Sequence, residues 1–237
     1  MNFKNNLYLF IQEIKDFQLF IKSPNFHSKY KKNDIKNISF FIKRLKYLII
    51  CVFLLWILNI FFIGPIVNFI ILKTGVQHKI NHLNLSFFKA VIVAPIVEEL
   101  MFRYILRKPL GFIIIYPLII SFIFNLSNIK IFLILMPLIL CNYVLRKNLK
   151  FCWLRNYVKI FPYIFHLISI LFALLHILNF SNISKFSILI PFLVLPQWFT
   201  GIVLGWIRMR YSIYDSILLH SLFNLLPLIL LYFFKFS

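Results

Sequence analysis

The sequence predicts an all-α, polytopic membrane helix bundle of about seven transmembrane helices with a cytoplasmic N-terminus. Three observations support this prediction: 62% of the 237 residues are hydrophobic, the mean hydropathy is +0.89, and the apolar residues form long runs. Soluble domains are only about 45–50% apolar. A chain of this composition therefore belongs in a lipid bilayer, which is its first predicted partner.

Long apolar runs mark the predicted transmembrane helices, each of which needs about 20 mainly apolar residues. Two shorter runs flank the sequence "NLSNIK" and predict a hairpin. The segment 146–163 is basic and aromatic, so we expect it to lie flat on the membrane surface before a helix that begins near Pro162. The seven predicted spans are Leu48–Leu72, Phe87–Leu106, Leu110–Leu126, Ile129–Leu145, Pro162–Phe180, Phe186–Ile207 and Ile213–Phe234.

The basic residues predict the orientation of the chain. Of 26 Lys and Arg residues, most lie in residues 1–46 and in the connections after the second, fourth and sixth predicted spans. Cytoplasmic loops are enriched in Lys and Arg, so residues 1–46 are expected to form a cytoplasmic arm before a membrane domain at 47–237. The net charge of +20 then reflects topology and contact with anionic lipid, and we expect no nucleic-acid partner. The expected location is a bacterial cytoplasmic membrane.

Glu98 and Glu99 are the two acids that lie well inside a predicted span. A charge at that depth costs about 2.5–3.5 kcal/mol, so such groups pair, face the protein interior or serve a function. Arg103 follows Glu99 by four residues on the same helix face, in the favourable order. Glu98 points about 100° away. We expect Arg103 to neutralise Glu99, and Glu98 to face a wet pocket beside Pro95 as a general base. The alternative is a buried structural cluster.

Polar side chains also occur on two later predicted helices. His176 lies deep in the apolar stretch "SILFALLHILNF", and Phe172 precedes it by one turn, where it can pack beneath the imidazole. His220 and Asn224 are four residues apart and share a helix face. A lone membrane histidine is more often a hydrogen-bonded core residue than a catalyst, but three helices with strong polar groups predict a shared site.

A count of residues from the basic flanks tests whether these groups lie at one depth. At about 1.5 Å per residue, Glu99 lies roughly 12 Å and His220 roughly 15 Å from the cytoplasmic flank. His176 matches them only if its helix begins near Pro162 to His166. This is the helix start that we expect.

Three motifs in order, EExxxR at 98–103, FxxxH at 172–176 and HxxxN at 220–224, resemble the CAAX protease and bacteriocin-processing family of intramembrane endopeptidases, also called CPBP or Abi. The surrounding sequences "APIVEELMFR", "FALLHILN" and "TGIVLGWIRMRYSIYDSILLHSLFN" are similar too. The resemblance covers roughly residues 85–230. The spacing between the first two motifs is longer than in compact members, which the predicted hairpin accounts for, and Tyr104 stands where many members have Gly.

This resemblance implies a glutamic-type or metallo-endopeptidase that cleaves a peptide or protein with a membrane-associated segment. By position, Glu98 would activate water as part of the Glu98–Glu99 pair, and His176 would assist or position that water. His220 and Asn224 would stabilise the oxyanion. The remaining motif residues, Arg103 and Phe172, would be structural partners.

The cofactor expectation is either none or Zn²⁺. A carboxylate base with donors at the oxyanion can hydrolyse an amide without a metal. Alternatively, Glu98, His176 and His220 could hold zinc with an open position for water. The HExxH motif is absent and the amide of Asn224 is a poor zinc ligand, which favours the metal-independent mechanism.

Two other function classes fit the same residues. A non-proteolytic family member would act in bacteriocin immunity or as a membrane scaffold, with the motif residues in structural roles. A proton- or metal-coupled transporter would also use intramembrane Glu and His, although the sequence lacks the inverted repeat common in transporters. The substrate, its prenylation and the oligomeric state are not predicted by the sequence.

Overall fold

The computed structural model describes residues 3–26, 38–78, 86–109, 152–182 and 189–235, together with the isolated Pro117 and Pro137. The predicted hairpin at 110–126 and 129–145 lies outside these residues. The described part is a helical bundle, which confirms the all-α prediction, and it contains one antiparallel two-stranded ribbon in which Gln77 pairs with Ser181 and His78 with Phe180.

Several helices overlap the predicted apolar runs, and α1 adds an N-terminal helix that no predicted span covers. The helices and strands are α1 (Phe3–Lys22), α2 (Ile38–Leu58), α3 (Gly64–Thr74), β1 (Gln77–His78), α4 (Ala94–Phe102), α5 (Tyr104–Arg107), α6 (Cys152–Leu175), β2 (Phe180–Ser181), α7 (Ile190–Leu193), α8 (Leu195–Arg210) and α9 (Ile213–Lys235). Two π-helical turns, Asn59–Ile63 and Lys89–Val93, precede α3 and α4. A 3₁₀ turn at His176–Asn179 ends α6.

Two helical segments of the described residues are long and apolar enough to cross a membrane, Arg44–Thr74 and Leu154–Asn179. A shorter apolar helix occupies Ile213–Ile229. The total of seven spans and the cytoplasmic position of the N-terminus stay predictions.

The start of α6 differs from the expectation for segment 146–163. Residues 152–175 form one continuous helix with Pro162 inside it, rather than a flat segment followed by a helix. Tyr157, Phe161 and Phe165 recur every four residues and are buried, whereas Arg155 is exposed on the other side. The basic residues therefore occupy the outer face of an amphipathic helix, a pattern that a flat interfacial segment also produces.

Small residues on α8 let α6 approach closely. A Cβ atom at Gly205 would lie 2.7 Å from a ring carbon of Phe165, and one at Gly201 would lie 3.0 Å from a ring carbon of Phe172. Such small-xxx-small spacing allows two helix backbones to pack tightly in a membrane protein. The close approach fixes the position of Phe172 on the face of α6 that meets α4.

The N-terminal helix α1 packs against the bundle. Arg210 at the end of α8 forms ion pairs with Glu13 and Asp16 of α1, and the Asp16 pair measures 2.9 Å. Phe17 of α1 stacks edge-on against Trp206, with ring centroids 4.9 Å apart. Burial opposes the charge of Arg210, but hydrogen bonding and the nearby carboxylates raise its pKa above the ordinary value. Part of the predicted arm is thus an integral layer of the fold.

Two further contacts tie α1 and α2 to the helices of the core. His166 Nε2 donates a hydrogen bond of 3.0 Å to the carbonyl oxygen of Ile21. Arg44 of α2 pairs with Asp215 of α9 at 2.9 Å. The second contact holds the first turn of α9 against α2.

Candidate active site

Glu99 lies at the centre of the buried polar cluster and is fully inaccessible to solvent. Its Oε1 accepts a hydrogen bond from His220 Nδ1 at 3.0 Å and lies 3.3 Å from Arg103 Nη1. The hydroxyl of Ser216 donates to Oε2. A buried carboxylate is tolerated only when it is paired and hydrogen-bonded, and Glu99 has partners on both oxygens.

Arg103, which is 1% exposed, joins three helices. Besides its pair with Glu99, its Nη2 donates to the carbonyl oxygen of Gly201 on α8 at 3.3 Å. Its guanidinium carbon lies 3.8 Å from the ring centroid of Phe172 on α6. A cation over an aromatic face contributes about 2 kcal/mol when it is desolvated. Arg103 therefore holds Glu99 in place and links α4 to both α6 and α8.

The ring of Phe172 connects the arginine to both histidines. Its centroid lies 4.8 Å from that of His176 and 5.9 Å from that of His220. The side chain is 1% exposed, so the two imidazoles rest on a fixed aromatic surface. Phe172 thus packs beneath the imidazole of His176, as the sequence predicted.

Glu98 has a different environment from its neighbour. Its side chain is 27% exposed, yet its Oε2 atom is shielded from solvent and has no hydrogen-bond partner among the described residues. His176 Nε2 lies 3.9 Å from this atom and His220 Nε2 lies 3.8 Å from it. Both separations exceed a direct hydrogen bond, which spans about 2.7–3.2 Å.

Hydrogen bonds at Nδ1 determine which nitrogen of each histidine carries a proton. His176 Nδ1 lies 2.9 Å from the carbonyl oxygen of Phe172, and His220 Nδ1 lies 3.0 Å from the carboxylate of Glu99. Carbonyl and carboxylate oxygens only accept, so both Nδ1 atoms donate. In their neutral forms both histidines therefore present the Nε2 lone pair toward Glu98.

The set of donors at this point has the chemistry of a two-histidine, one-carboxylate zinc site. Zn–N and Zn–O distances of about 2.0–2.1 Å place tetrahedral ligand atoms about 3.3 Å apart. The observed separations of 3.8 and 3.9 Å are longer. Among the described residues, no group of three or more His, Cys, Asp or Glu side chains has an arrangement that could hold a metal ion. Small rotations of Glu98, His176 and His220 would be needed to bind zinc.

Asn224 makes a contact that the sequence did not predict. Its Nδ2 donates a hydrogen bond of 3.1 Å to the carbonyl oxygen of Ala90, in the π-helical turn before α4. This bond lies one turn further along α9 than His220. The amide expected at the oxyanion thus has one N–H engaged with the backbone of the helix that carries both glutamates.

The shared depth of the three motifs does not depend on where α6 begins. His176 lies beside Glu98 although α6 starts at Cys152, well before the expected start at Pro162. A count from the basic flank fails here because Arg155 and Lys159 lie on the helix itself. The side-chain distances are therefore the evidence that the motifs meet, and the residue count is not.

Sequence reasoning missed Ser216 and Arg208. Ser216 precedes His220 by four residues, so the helical spacing that joined His220 to Asn224 also pointed to it. Arg208 Nε donates to the carbonyl oxygen of Arg103 at 3.2 Å, a contact between distant segments that no spacing reveals. Burial, followed by the neighbouring charge of Arg107, lowers the pKa of Arg208 to about 10.

Two apolar cavities lie away from Glu98. One of about 280 Å³ lies between α1, α2 and α8 and is lined by Phe17, Tyr47 and Trp206 among others. The other, of about 320 Å³, lies between α5 and α6. Neither is lined by Glu98, so the wet pocket expected beside this residue stays a prediction.

The helical bundle holds a buried carboxylate–histidine cluster, a set of groups that can act as general acids and bases. A family model described as "Type II CAAX prenyl endopeptidase Rce1-like" matches residues 80–226, more than half of the chain, and includes all three motifs. The chain belongs to this Rce1-like family, which is membrane-embedded and consists of proteases. No match emerges among curated proteins or solved structures.

Proposed function

We propose that the chain is a CAAX protease-like intramembrane endopeptidase in which Glu98 activates the attacking water. The observation that carries this proposal is the shielded, unpartnered Oε2 of Glu98, which faces two histidine nitrogens at 3.8 and 3.9 Å. Two hydrogen bonds of about 2.8 Å that meet at a right angle span about 4.0 Å. A water that bridged Glu98 and either histidine would therefore form a strongly bent bridge, and a small rotation of Glu98 would have to expose its shielded Oε2 to that water.

In the proposed reaction, Glu98 accepts a proton from water while the water oxygen attacks the scissile carbonyl carbon. The carbonyl oxygen becomes an oxyanion in the tetrahedral intermediate. When the C–N bond breaks, Glu98 returns the proton to the leaving amine, so that it acts as base and then as acid. His176 orients the water through its Nε2, since its Nδ1 is held by the Phe172 carbonyl.

His220 is the proposed oxyanion donor. A donor requires a proton on Nε2 while Nδ1 keeps its bond to Glu99, so the donating form is the imidazolium. The adjacent carboxylate of Glu99 stabilises that charge and fixes the ring, as an orienting carboxylate does in other hydrolases. Glu99 is thus proposed as a residue that acts through His220.

If zinc is bound, Glu98, His176 and His220 are the residues that would hold it, and the ion would supply Lewis-acid activation of water. The absence of the HExxH motif and the poor zinc affinity of an amide such as that of Asn224 favour the water mechanism without a metal. The proposed substrate is a peptide or protein with a membrane-associated segment, and the proposed setting is a multi-pass protein of a bacterial cytoplasmic membrane.

The test incubates purified wild-type protein and the Glu98→Gln variant with a library of membrane peptides. The cleavage products are identified by mass spectrometry and their rates of formation are compared. Loss of a general base typically slows the reaction by about 10²–10⁴-fold. A matched control is Tyr214→Phe, at a position on α9 that is 79% exposed, which should leave cleavage unchanged. Full activity of Glu98→Gln would overturn the role assigned to Glu98.

A non-proteolytic role in bacteriocin immunity or scaffolding is the second candidate. Both carboxylate oxygens of Glu99 have polar partners, which are Arg103, His220 and Ser216. A cluster with a purely structural role would be bonded in this way, and this observation supports the second candidate. Cells that express stably inserted Glu98→Ala or His176→Ala proteins separate the two functions. Full biological protection by both variants supports the structural role, and its loss supports proteolysis.

A further inference from the structure

The two π-helical turns of the described structure share a sequence feature. Asn59–Ile63 is followed by Gly64 and Pro65, and Lys89–Val93 is followed by Ala94 and Pro95. In the second turn the N–H of Ala94 bonds to the carbonyl of Lys89, five residues back. Such widened turns are rare and occur often at functional sites.

Proline interrupts the bonding register of the second turn. Continuing the five-residue register would pair the carbonyl of Ala90 with the nitrogen of residue 95. Pro95 has no N–H, so this carbonyl receives no backbone donor in that register. An unpaired carbonyl is costly inside a membrane protein, where water is scarce and neighbouring side chains must replace the missing bond.

Asn224 supplies the missing donor. Its Nδ2 lies 3.1 Å from the carbonyl oxygen of Ala90, and its own helix α9 also carries His220, which bonds to Glu99. The helix α9 therefore contacts the glutamate-bearing segment at two points. The two contact residues on α9 are one turn apart, and their partners, Ala90 and Glu99, are nine residues apart. Together these contacts fix both the position and the rotation of α4.

The rotation of α4 decides which glutamate faces the histidines. Consecutive residues of an α-helix differ by about 100° in direction, and a π-turn inserts one extra residue into the helix. Reversion of the turn to regular helix would change the direction of the following residues by about that angle. Glu98 and Glu99 are adjacent, so such a change would move one glutamate onto the face that the other now occupies and turn the other about 100° away from its present direction.

We propose that Asn224 is a positioning residue that replaces the N–H absent from Pro95 and thereby holds the π-turn that aims Glu98 at His176 and His220. The bond between Asn224 and Ala90 concerns the folded chain alone, whereas its consequence for cleavage rests on the proposed function. The competing assignment is direct oxyanion stabilisation by the Asn224 amide, as the family resemblance implies.

A double-mutant cycle between Asn224 and Pro95 tests the proposal. Asn224→Asp keeps the shape of the side chain and, when ionised, lacks a donor. Pro95→Ala restores a backbone N–H at residue 95. The wild type, both single variants and the double variant are purified at full length in detergent, and unfolding is measured without substrate.

We expect Asn224→Asp to raise the equilibrium constant for unfolding by about threefold or more in the Pro95 background, a size typical of membrane hydrogen bonds. In the Pro95→Ala background the effect of Asn224→Asp should largely disappear. Additive effects of the two substitutions would overturn the proposal. If Asn224→Asp alone fails to fold, recovery of folding in the double variant supports the proposal and continued failure overturns it.

The first π-turn provides the matched control. Pro65→Ala changes the equivalent proline of the other turn and should leave the effect of Asn224→Asp unaltered. Cleavage by the four proteins of the Pro95 cycle forms a separate arm. A contrary outcome is that Asn224→Asp reduces cleavage equally in the Pro95 and Pro95→Ala backgrounds, while the effects of the two substitutions on the free energy of unfolding are additive. That combination would support the oxyanion role of Asn224. If the wild-type protein does not cleave, the proposed function is contradicted. The unfolding result would still decide whether Asn224 replaces the missing N–H of Pro95.

Discussion

Glu99 and His220 are joined by a hydrogen bond of 3.0 Å between Oε1 and Nδ1, deep in the interior of the bundle. The bond turns the Nε2 atom of His220 toward Glu98, 3.8 Å away. The two adjacent glutamates therefore differ in their surroundings: one is surrounded by partners, and the other has an oxygen without any among the described residues. This difference is the basis of the following predictions.

Glu99→Gln should destabilise the protein far more than Glu98→Gln. The substitution leaves the charge of Arg103 buried without its carboxylate, and breaking a buried ion pair in this way costs about 3–5 kcal/mol. Glu98 Oε2 makes no hydrogen bond to the described residues, so Glu98→Gln should unfold like the wild type. Thermal unfolding in detergent measures both. Equal stability of the two variants would show that the Arg103 pair is not structural.

Alanine substitutions at the two glycines of α8 should have separable effects. A Cβ at Gly205 meets the fully buried ring of Phe165 at 2.7 Å, so Gly205→Ala should cost about 1–3 kcal/mol of stability through overpacking. A Cβ at Gly201 meets Phe172 at 3.0 Å and Arg103 at 3.4 Å. Compared with Gly205→Ala, the Gly201→Ala variant should therefore destabilise the fold less and reduce the cleavage rate more.

Unfolding midpoints and cleavage rates of the two glycine variants, measured on the same preparations, check this separation. A Gly201→Ala protein with wild-type cleavage would show that the position of the Phe172 ring does not control the site. A Gly205→Ala protein with wild-type stability would show that α6 and α8 move apart without penalty.

Helix α1 should detach when its ion pairs with α8 are removed. Arg210→Gln eliminates the contacts to Glu13 and Asp16, leaving the aromatic contacts of α1 to hold it. Limited proteolysis should then cleave the first 26 residues from the membrane domain faster than in the wild type. Arg155→Gln removes an exposed charge of α6 and serves as the matched control. Unchanged proteolysis of Arg210→Gln would show that apolar packing alone seats α1.

The sequence predicted contacts within a helix well and contacts between helices poorly. The spacing of Glu99 and Arg103 was sufficient to pair them, since side chains four residues apart always meet on a helix. The bonds of Glu99 to Ser216 and of Asn224 to Ala90 join segments more than a hundred residues apart, so periodicity carries no information on them. Their geometry depends on how the bundle packs.

The start of α6 was mispredicted for a related reason. Alternating basic and aromatic residues describe both a flat interfacial segment and the wet end of a long helix, because each needs one charged and one apolar face. The choice depends on what covers the apolar face. Here Phe161 and Phe165 pack into the core, and Phe26 of the N-terminal segment lies 5.6 Å from the ring of Phe161, which a count along the chain cannot foresee.

Removal of metal should leave cleavage unchanged. The Nε2 atoms of His176 and His220 lie 3.9 and 3.8 Å from Glu98 Oε2, wider than the spacing of about 3.3 Å in a tetrahedral zinc site. A site organised around water should keep its activity within about twofold after a strong chelator, since proton transfer by Glu98 needs no ion. Metal content and cleavage are measured together before and after chelation, with Glu98→Gln as the inactive reference. Zinc bound at one ion per chain, with activity lost on chelation and restored by zinc alone, would contradict the water mechanism and assign the three donors to the metal.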